Sequence, residues 1–264
     1  YTAPHSPWDK ENHPDAFLDL YEGCSFQSCP ELEVHPWQIN SAPVGVGERR
    51  KENLQGYFAA VTAMDAGVRR LIDRLDASGI RENTLIVFTS DNGMNMGHHG
   101  VWGKGNGTYP QNMYDSSVKV PFIVSQLGRI PEGKVEVGLF SHYDFFPTLL
   151  DYLNLENPVA DGLPGRSFAA LLEGKQLAGR ENVVVFDEYG PVRMIRNRDF
   201  KYVHRFPEGP HEFYDLQLDP NEEMNVVDEA DYRGLVGEMR LELEDWFRDY
   251  VDSSIDGSVE PVTG

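Results

Sequence analysis

One succession of patterns restricts this chain more than any other. Leu54, Phe58, Val61, Val68, Leu71, Ile72 and Leu75 recur at three, four and seven residues, the stripe of an amphipathic helix, and Gly79 supplies a stop. Shortly after comes Thr84-Leu85-Ile86-Val87-Phe88-Thr89, a continuous β-branched run suited to a central strand buried on both faces. A helix feeding a buried strand implies an α/β sheet.

The flanking segments extend this frame. Residues 1 to about 50 are rich in Pro, Glu, His and Gly without a sustained period and predict loops, with one short helix at Asp15 to Tyr21. A loop of that length is expected to be functional. A second strand is predicted at Val118 to Ser125, then a helix over Tyr143 to Leu153 with Pro147 in its first turn, where the missing N–H costs little. The pattern changes near residue 180. Val183–Phe186, Val192–Arg196 and Phe200–Phe206 read as short strands, the last two joined across Asn197-Arg198-Asp199, and Glu212 to Leu216 adds another edge. A final helix, Asp231 to Tyr250, places Leu235, Met239, Leu243, Trp246 and Phe247 on one stripe that can cover this antiparallel sheet. The predicted division is therefore an α/β core over residues 1–180 and a small subdomain over 181–264.

Charge narrows the class of partner. The 264 residues carry a formal net charge of −20. A field of that sign repels phosphate backbones and anionic membrane surfaces, and no basic run or membrane-length apolar stretch occurs, so neither nucleic acid nor membrane is an expected partner. The charge is concentrated, because from Glu208 onward there are 17 acidic and 3 basic residues, which reads as a solvated helix face and terminus. The two cysteines, Cys24 and Cys29, are read equally well as ordinary thiols or as a local disulfide.

The chemistry concentrates after the first strand. Asp91 and Asn92 stand just past its carboxyl end, where open α/β sheets place ligands. A carboxylate beside an amide carbonyl offers two hard oxygens, suited to calcium or magnesium and poorly suited to zinc. Alone, Asp-Asn-Gly is also an ordinary turn. Gly97-His98-His99-Gly100 and Trp102-Gly103-Lys104-Gly105 then add two imidazoles and an ammonium among glycines that let backbone approach a ligand, and lysine suits an oxyanion such as sulfate or phosphate. The spacing rejects a P-loop.

These segments together resemble the C-terminal part of a type I sulfatase of the alkaline-phosphatase-like superfamily. The similarity runs in family order: Pro4-His5-Ser6-Pro7; Tyr57 to Asp73; Ser90-Asp91-Asn92-Gly93; Gly97-x-His99-Gly100-x-Trp102-Gly103-Lys104; Val118-Lys119-Val120-Pro121; Asp144 to Leu150; Met194 to Tyr202; and Glu212 to Asn225. The resemblance implies a sandwich of helices about a mostly parallel sheet, with its N-terminal part absent here, and the hydrolysis of a sulfate ester. It implies that Asp91 and Asn92 are ligands of one divalent cation, calcium by family habit with magnesium or manganese as alternatives. It implies that Lys104 holds the sulfate and steadies the departing oxygen. It assigns His5 to sulfate contact and protonation of the leaving alcohol, and His99 to a further catalytic place; His98 has no counterpart.

The family nucleophile is a formylglycine made from a C-x-P/A-x-R motif or its serine form, and neither cysteine here stands in one. We therefore expect the nucleophile upstream of Tyr1, in a larger enzyme of which this chain is the C-terminal portion, inactive alone. Gly105 to Asn112 is an insertion relative to many relatives and borders the pocket. A sulfated small molecule or carbohydrate is the expected substrate, and a periplasmic or secreted bacterial setting the expected one. Two other readings fit the same residues: a phosphodiesterase or phosphonate monoester hydrolase, whose relatives more often carry histidine at the Asn92 position, and a sulfated-carbohydrate binder without catalysis.

Overall fold

The computed structural model describes residues 10, 13–39, 47–159, 162–187, 190–252, 256 and 258. His5 lies outside the described residues. Two compact units, residues 1–128 and 129–264, divide the chain.

In the first unit, α1 (Asp15–Leu18) continues as a 3₁₀ turn over Asp19–Tyr21, and α2 (Gly47–Ala77) is a 31-residue helix. The predicted stripe of α2 is buried only at its start. Leu54, Gly56, Ala59 and Ala60 are buried, whereas Val61 is 41% and Leu71 65% exposed. Among the described residues, little packs against the far half of the helix.

Strand β1 (Ile86–Thr89) is shorter than its apolar run. It pairs antiparallel with β4 (Phe122–Ser125), in register Ile86 to Ser125 and Thr89 to Phe122. Neither strand is buried on both faces, and Ile123 is 59% exposed. The continuous β-branched run is a record of apolar surroundings, and it cannot say which sequence supplies them. Every strand pair among the described residues is antiparallel, so the parallel part of the expected sheet is not built from these strands. The predicted second strand starts late: Val118 ends a single helical turn, α3 (Asp115–Val118), and the strand begins only at Phe122.

Between β1 and β4 the chain makes a two-stranded hairpin, β2 (Asn95–Met96) with β3 (Trp102–Gly103), pairing Asn95 with Gly103 and Met96 with Trp102. Met96 and Trp102 belong to a buried cluster with Leu54, Phe26 and Cys29, flanked by Tyr21, Tyr57 and Phe58. Helix α2 thus supports the hairpin from beneath. Cys24 and Cys29 are free thiols, the first exposed and the second buried, and burial pushes the Cys29 thiol up.

The second unit joins α4 (Phe145–Tyr152), α5 (Ala169–Leu172), a four-stranded sheet of β5 (Val183–Phe186), β6 (Val192–Arg196), β7 (Phe200–Arg205) and β8 (Glu212–Asp215), and α6 (Arg233–Tyr250). The strands are antiparallel in sequence order, as their short connections require. At the β6–β7 turn, Asn197 Oδ1 accepts the backbone N–H groups of Asp199 (2.9 Å) and Phe200 (2.7 Å), which is the local reason the chain reverses there. One sheet face packs Val184, Ile195, Tyr202 and Phe213 against Met239, Leu243 and Phe247 of α6. Each such buried side chain is worth about 1.5–3 kcal/mol against exposure.

The compact units divide at 128/129 and the sequence pattern changes at 180/181; the segment that leads up to residue 180 is knit together around Asp144. It is 1% exposed and accepts the N–H groups of Ser141 (2.9 Å) and Arg166 (2.8 Å) while paired with the Arg180 guanidinium, which lies over the Tyr143 ring. Tyr143 in turn accepts Val184 N at 3.2 Å. These contacts bind residues 141–180 to the sheet that follows. The Glu212–Asn225 motif has similar structural work. Glu222 pairs with Lys201, which has no exposed surface, Asn225 Oδ1 accepts Phe213 N at 2.9 Å, and Asp219 Oδ2 accepts Met224 N at 2.8 Å.

At the end of the α6-covered face, Tyr202 O–H lies 2.8 Å from His204 Nδ1, and the His204 and His211 rings stack at 4.3 Å. Arg193, Phe206, Arg240, Leu243 and Glu244 surround a small void beside them. Burial first, then the neighbouring His211 and Arg240, push His204 down to about 4. An unfolded histidine takes its proton near 6.5. The stabilising contribution of neutral His204 is thus complete above about pH 6.5 and is lost as pH falls towards 4, at about 1.4 kcal/mol per unit. Urea unfolding at pH 7.5 and 4.5 should show wild type losing about 2–3 kcal/mol more than His204→Gln. Equal losses would refute the assignment.

Candidate functional site

The site is built on the β2–β3 hairpin. Asp91 and Asn92 follow β1 and come three to four residues before β2, and Lys104 directly follows Gly103, which pairs with Asn95. His98 and His99 lie in the turn between β2 and β3.

Asp91 is exposed and Asn92 half-buried. Ser90 Oγ donates to the Asn92 carbonyl at 2.8 Å and lies 3.5 Å from Asp91 Oδ1, steadying the bend. The pair fits a hard divalent cation as two neighbouring oxygen donors. No group of three or more His, Cys, Asp or Glu able to hold a metal occurs among the described residues.

His99 has φ 55° in a non-glycine residue, and its ring stacks flat on Tyr114, with centroids 3.7 Å apart and planes 5° apart. Left-handed backbone costs about 1–3 kcal/mol and persists only where surroundings impose it, and here the stack holds it. His98 is a structural pin. Its Nδ1 accepts Met96 N at 3.3 Å, and its Nε2 lies 3.1 Å from the Ser28 carbonyl.

The glycines have a different purpose from the one their chemistry suggests. A Cβ on Gly97 or Gly100 would collide with the carbonyl of Pro30 or Glu33, and both glycines have positive φ. The space beside them is filled by backbone of residues 30–35. This segment continues as a strap: His35 N donates to Gly100 O (3.0 Å), the Gln38 amide takes Trp102 N (2.8 Å) and gives to Trp102 O (3.0 Å), and Ile39 N donates to Gly107 O (2.9 Å).

Sequence reasoning missed the residues that fix Lys104. Asn95 is 0% and Asn112 1% exposed. Asn95 Nδ2 donates to Gly103 O (3.0 Å) and Ser117 Oγ (2.7 Å), while its Oδ1 accepts Ser116 Oγ (2.5 Å). Ser117 Oγ donates to Asn112 Oδ1 at 2.6 Å. Asn112 Nδ2 reaches Lys104 O (3.3 Å), Gly105 O (3.2 Å) and Thr108 Oγ1 (3.1 Å). The lysine backbone is thereby held from a closed network, while its ammonium end stays exposed. Two asparagines flanking a Gly-rich loop were the available signal, but loop composition alone does not tell a buried amide from a solvated one.

Residues 1–155 match the family model described as Sulfatase, and residues 97–249 match the one described as N-sulphoglucosamine sulphohydrolase, C-terminal. The chain belongs to the sulfatase family, with the α/β fold of the alkaline-phosphatase-like group. It is 30% identical to an ulvan-active sulfatase of Formosa agariphila over 91% of this chain and 45% of that protein. Among solved structures it is similar to BT4656 in complex with its substrate D-glucosamine-2-N,6-O-disulfate, with TM-score 0.69, 29% identity, and coverage of 79% of this chain and 43% of that one. It is also similar to the phosphonate monoester hydrolase of Agrobacterium radiobacter, with TM-score 0.64, 28% identity, and coverage of 75% and 42%. The chain spans less than half the length of these three relatives. Sulfatases in general use a divalent metal and a formylglycine.

The buried network makes a direct prediction. Asn112→Ala strands the Ser117 hydroxyl and the loop carbonyls, and an unsatisfied buried polar group costs about 1–3 kcal/mol. Chemical denaturation should show a loss in that range, and a loss below about 0.5 kcal/mol would contradict the network.

Proposed function

We propose that the whole protein hydrolyses the sulfate ester of a sulfated carbohydrate or small molecule. The observation that supports this reading is the buried Asn95–Ser117–Asn112 network that holds the backbone of Lys104 beside a hairpin preceded by Asp91 and Asn92. The ulvan-active relative and the sulfated glucosamine bound by BT4656 support a sulfated sugar as the substrate.

Cleavage of a sulfate ester expels an alkoxide, a poor leaving group unless protonated or electrostatically steadied. Lys104 binds the sulfate and offsets charge on the departing oxygen. His5 contacts the sulfate and donates the proton to the leaving alcohol. His99, stacked on Tyr114 in the hairpin turn, is the lesser candidate for proton handling. Asp91 and Asn92 hold one divalent cation, calcium by family habit, with magnesium or manganese as alternatives that the same hard oxygens suit. When bound, the cation supplies Lewis-acid polarisation of the sulfuryl oxygens and helps ionise the nucleophile. The nucleophile in this reading is a formylglycine, and neither Cys24 nor Cys29 stands in the motif that yields one.

The likeness to a phosphonate monoester hydrolase supports one competing reading, in which the ester is a phosphodiester or phosphonate. Asn92 favours sulfate. The full-length protein, produced with a formylglycine-generating enzyme, should release sulfate from 4-nitrophenyl sulfate faster than it cleaves bis-4-nitrophenyl phosphate. Lys104→Ala should lower kcat/KM for the sulfate by about 10²–10³ with unchanged melting temperature. Preference for the phosphodiester, or full activity in Lys104→Ala, would overturn the reading.

A further inference from the structure

The strap and the insertion that follows Lys104 meet in a short antiparallel bridge, Gln38 opposite Thr108, closed by Tyr109 N to Trp37 O and Ile39 N to Gly107 O, both 2.9 Å. That register sets Trp37 directly across from Tyr109, so their side chains leave the same face of the bridge. Tyr109 is 73% exposed, an unusual position for so large a ring, and Trp37 is half-buried. The mounting is rigid. Gln38 is clipped to both backbone groups of Trp102, and Thr108 is 1% exposed and bonded to Asn112, the residue that also holds Lys104.

Trp37 is also continuous with the site. Its ring stands edge-on to His35 at 5.3 Å, His35 to Tyr114 at 6.3 Å, and Tyr114 carries the stacked His99. An aromatic row thus runs from the exposed pair to His99, while the insertion links the same pair to Lys104 in five residues of chain.

We propose that Trp37 and Tyr109 form a sugar-ring subsite that receives the apolar C–H face of the pyranose bearing the sulfate held by Lys104. Aromatic rings give large contact area at low conformational cost, and their faces attract the partly positive hydrogens of a pyranose face. A cation beside an aromatic pair is the complement of an anionic substituent on an otherwise neutral ring. The inference rests on Lys104 being the sulfate contact.

Isothermal titration of the full-length protein, kept in its unconverted, non-hydrolysing form, separates the two ideas. The probes are glucosamine 6-sulfate, a panel of other sulfated monosaccharides, and inorganic sulfate. Wild type should bind at least one sulfated sugar more tightly than inorganic sulfate. Trp37→Ala and Tyr109→Ala should each weaken the sugar about tenfold or more and leave inorganic sulfate within about twofold, while Trp37→Phe and Tyr109→Phe should restore most of the loss. Should Lys104→Ala bind both probes like wild type while the aromatic variants still lose the sugar, the sulfate contact is elsewhere: the aromatic pair still binds the sugar, but the placing of its sulfate at Lys104 is overturned. Sugar binding unchanged in both alanine variants, equal weakening of sugar and sulfate, or no sulfated sugar bound better than sulfate would each overturn the subsite.

Discussion

Everything proposed for this chain depends on two side-chain amides that never meet water. Asn95 and Asn112, joined through Ser117, convert a Gly-rich loop into a fixed platform because each donor and acceptor among them is used. Such a network is all-or-none. Fully bonded it specifies one geometry, and with one member missing the others become buried costs. Lys104 is positioned by its backbone inside this network, which leaves its ammonium exposed for a ligand.

The platform rests on an apolar base and is closed by a strap. Met96 and Trp102 sit on Leu54 and Phe26, so the hairpin inherits the orientation of α2. Over it, residues 30–39 fit only because Gly97 and Gly100 have no side chain. The residues that could do chemistry sit at the edges of this assembly, and the residues that hold them are in its interior. In the second unit, the sulfatase-like motifs around Asp144 and Asp215–Asn225 play the holding part: they cap, pair and turn.

Much of this was legible in the sequence where the determinant is local. The spacing from Leu54 to Leu75 marks α2, Asn197 marks the β6–β7 reversal, and the apolar run before Asp91 and Asn92 marks β1. What was illegible depends on partners far along the chain. Gly97 and Gly100 suggest close approach, but not that residues 30–35 make it. Asn95 and Asn112 look like loop composition until Ser117 is known to lie between them. The 84–89 run records apolar surroundings without saying whose, and among the described residues the strand expected to be buried on both faces pairs only with β4, in a half-exposed sheet. The boundary near residue 180 follows a real change of period, yet Tyr143 accepts Val184 N across it.

The central claim is that a cation-binding pair before the β2–β3 hairpin and a sulfate-binding lysine after it serve one site. A crystal structure of the full-length protein grown with calcium and a sulfated sugar, with the ion identified by anomalous scattering, tests it most directly. The account predicts side-chain oxygens of Asp91 and Asn92 within about 2.3–2.6 Å of the ion and Lys104 Nζ in hydrogen-bond contact with the sulfate. An ion bound without Asp91 and Asn92, or a sulfate out of reach of Lys104, would contradict it.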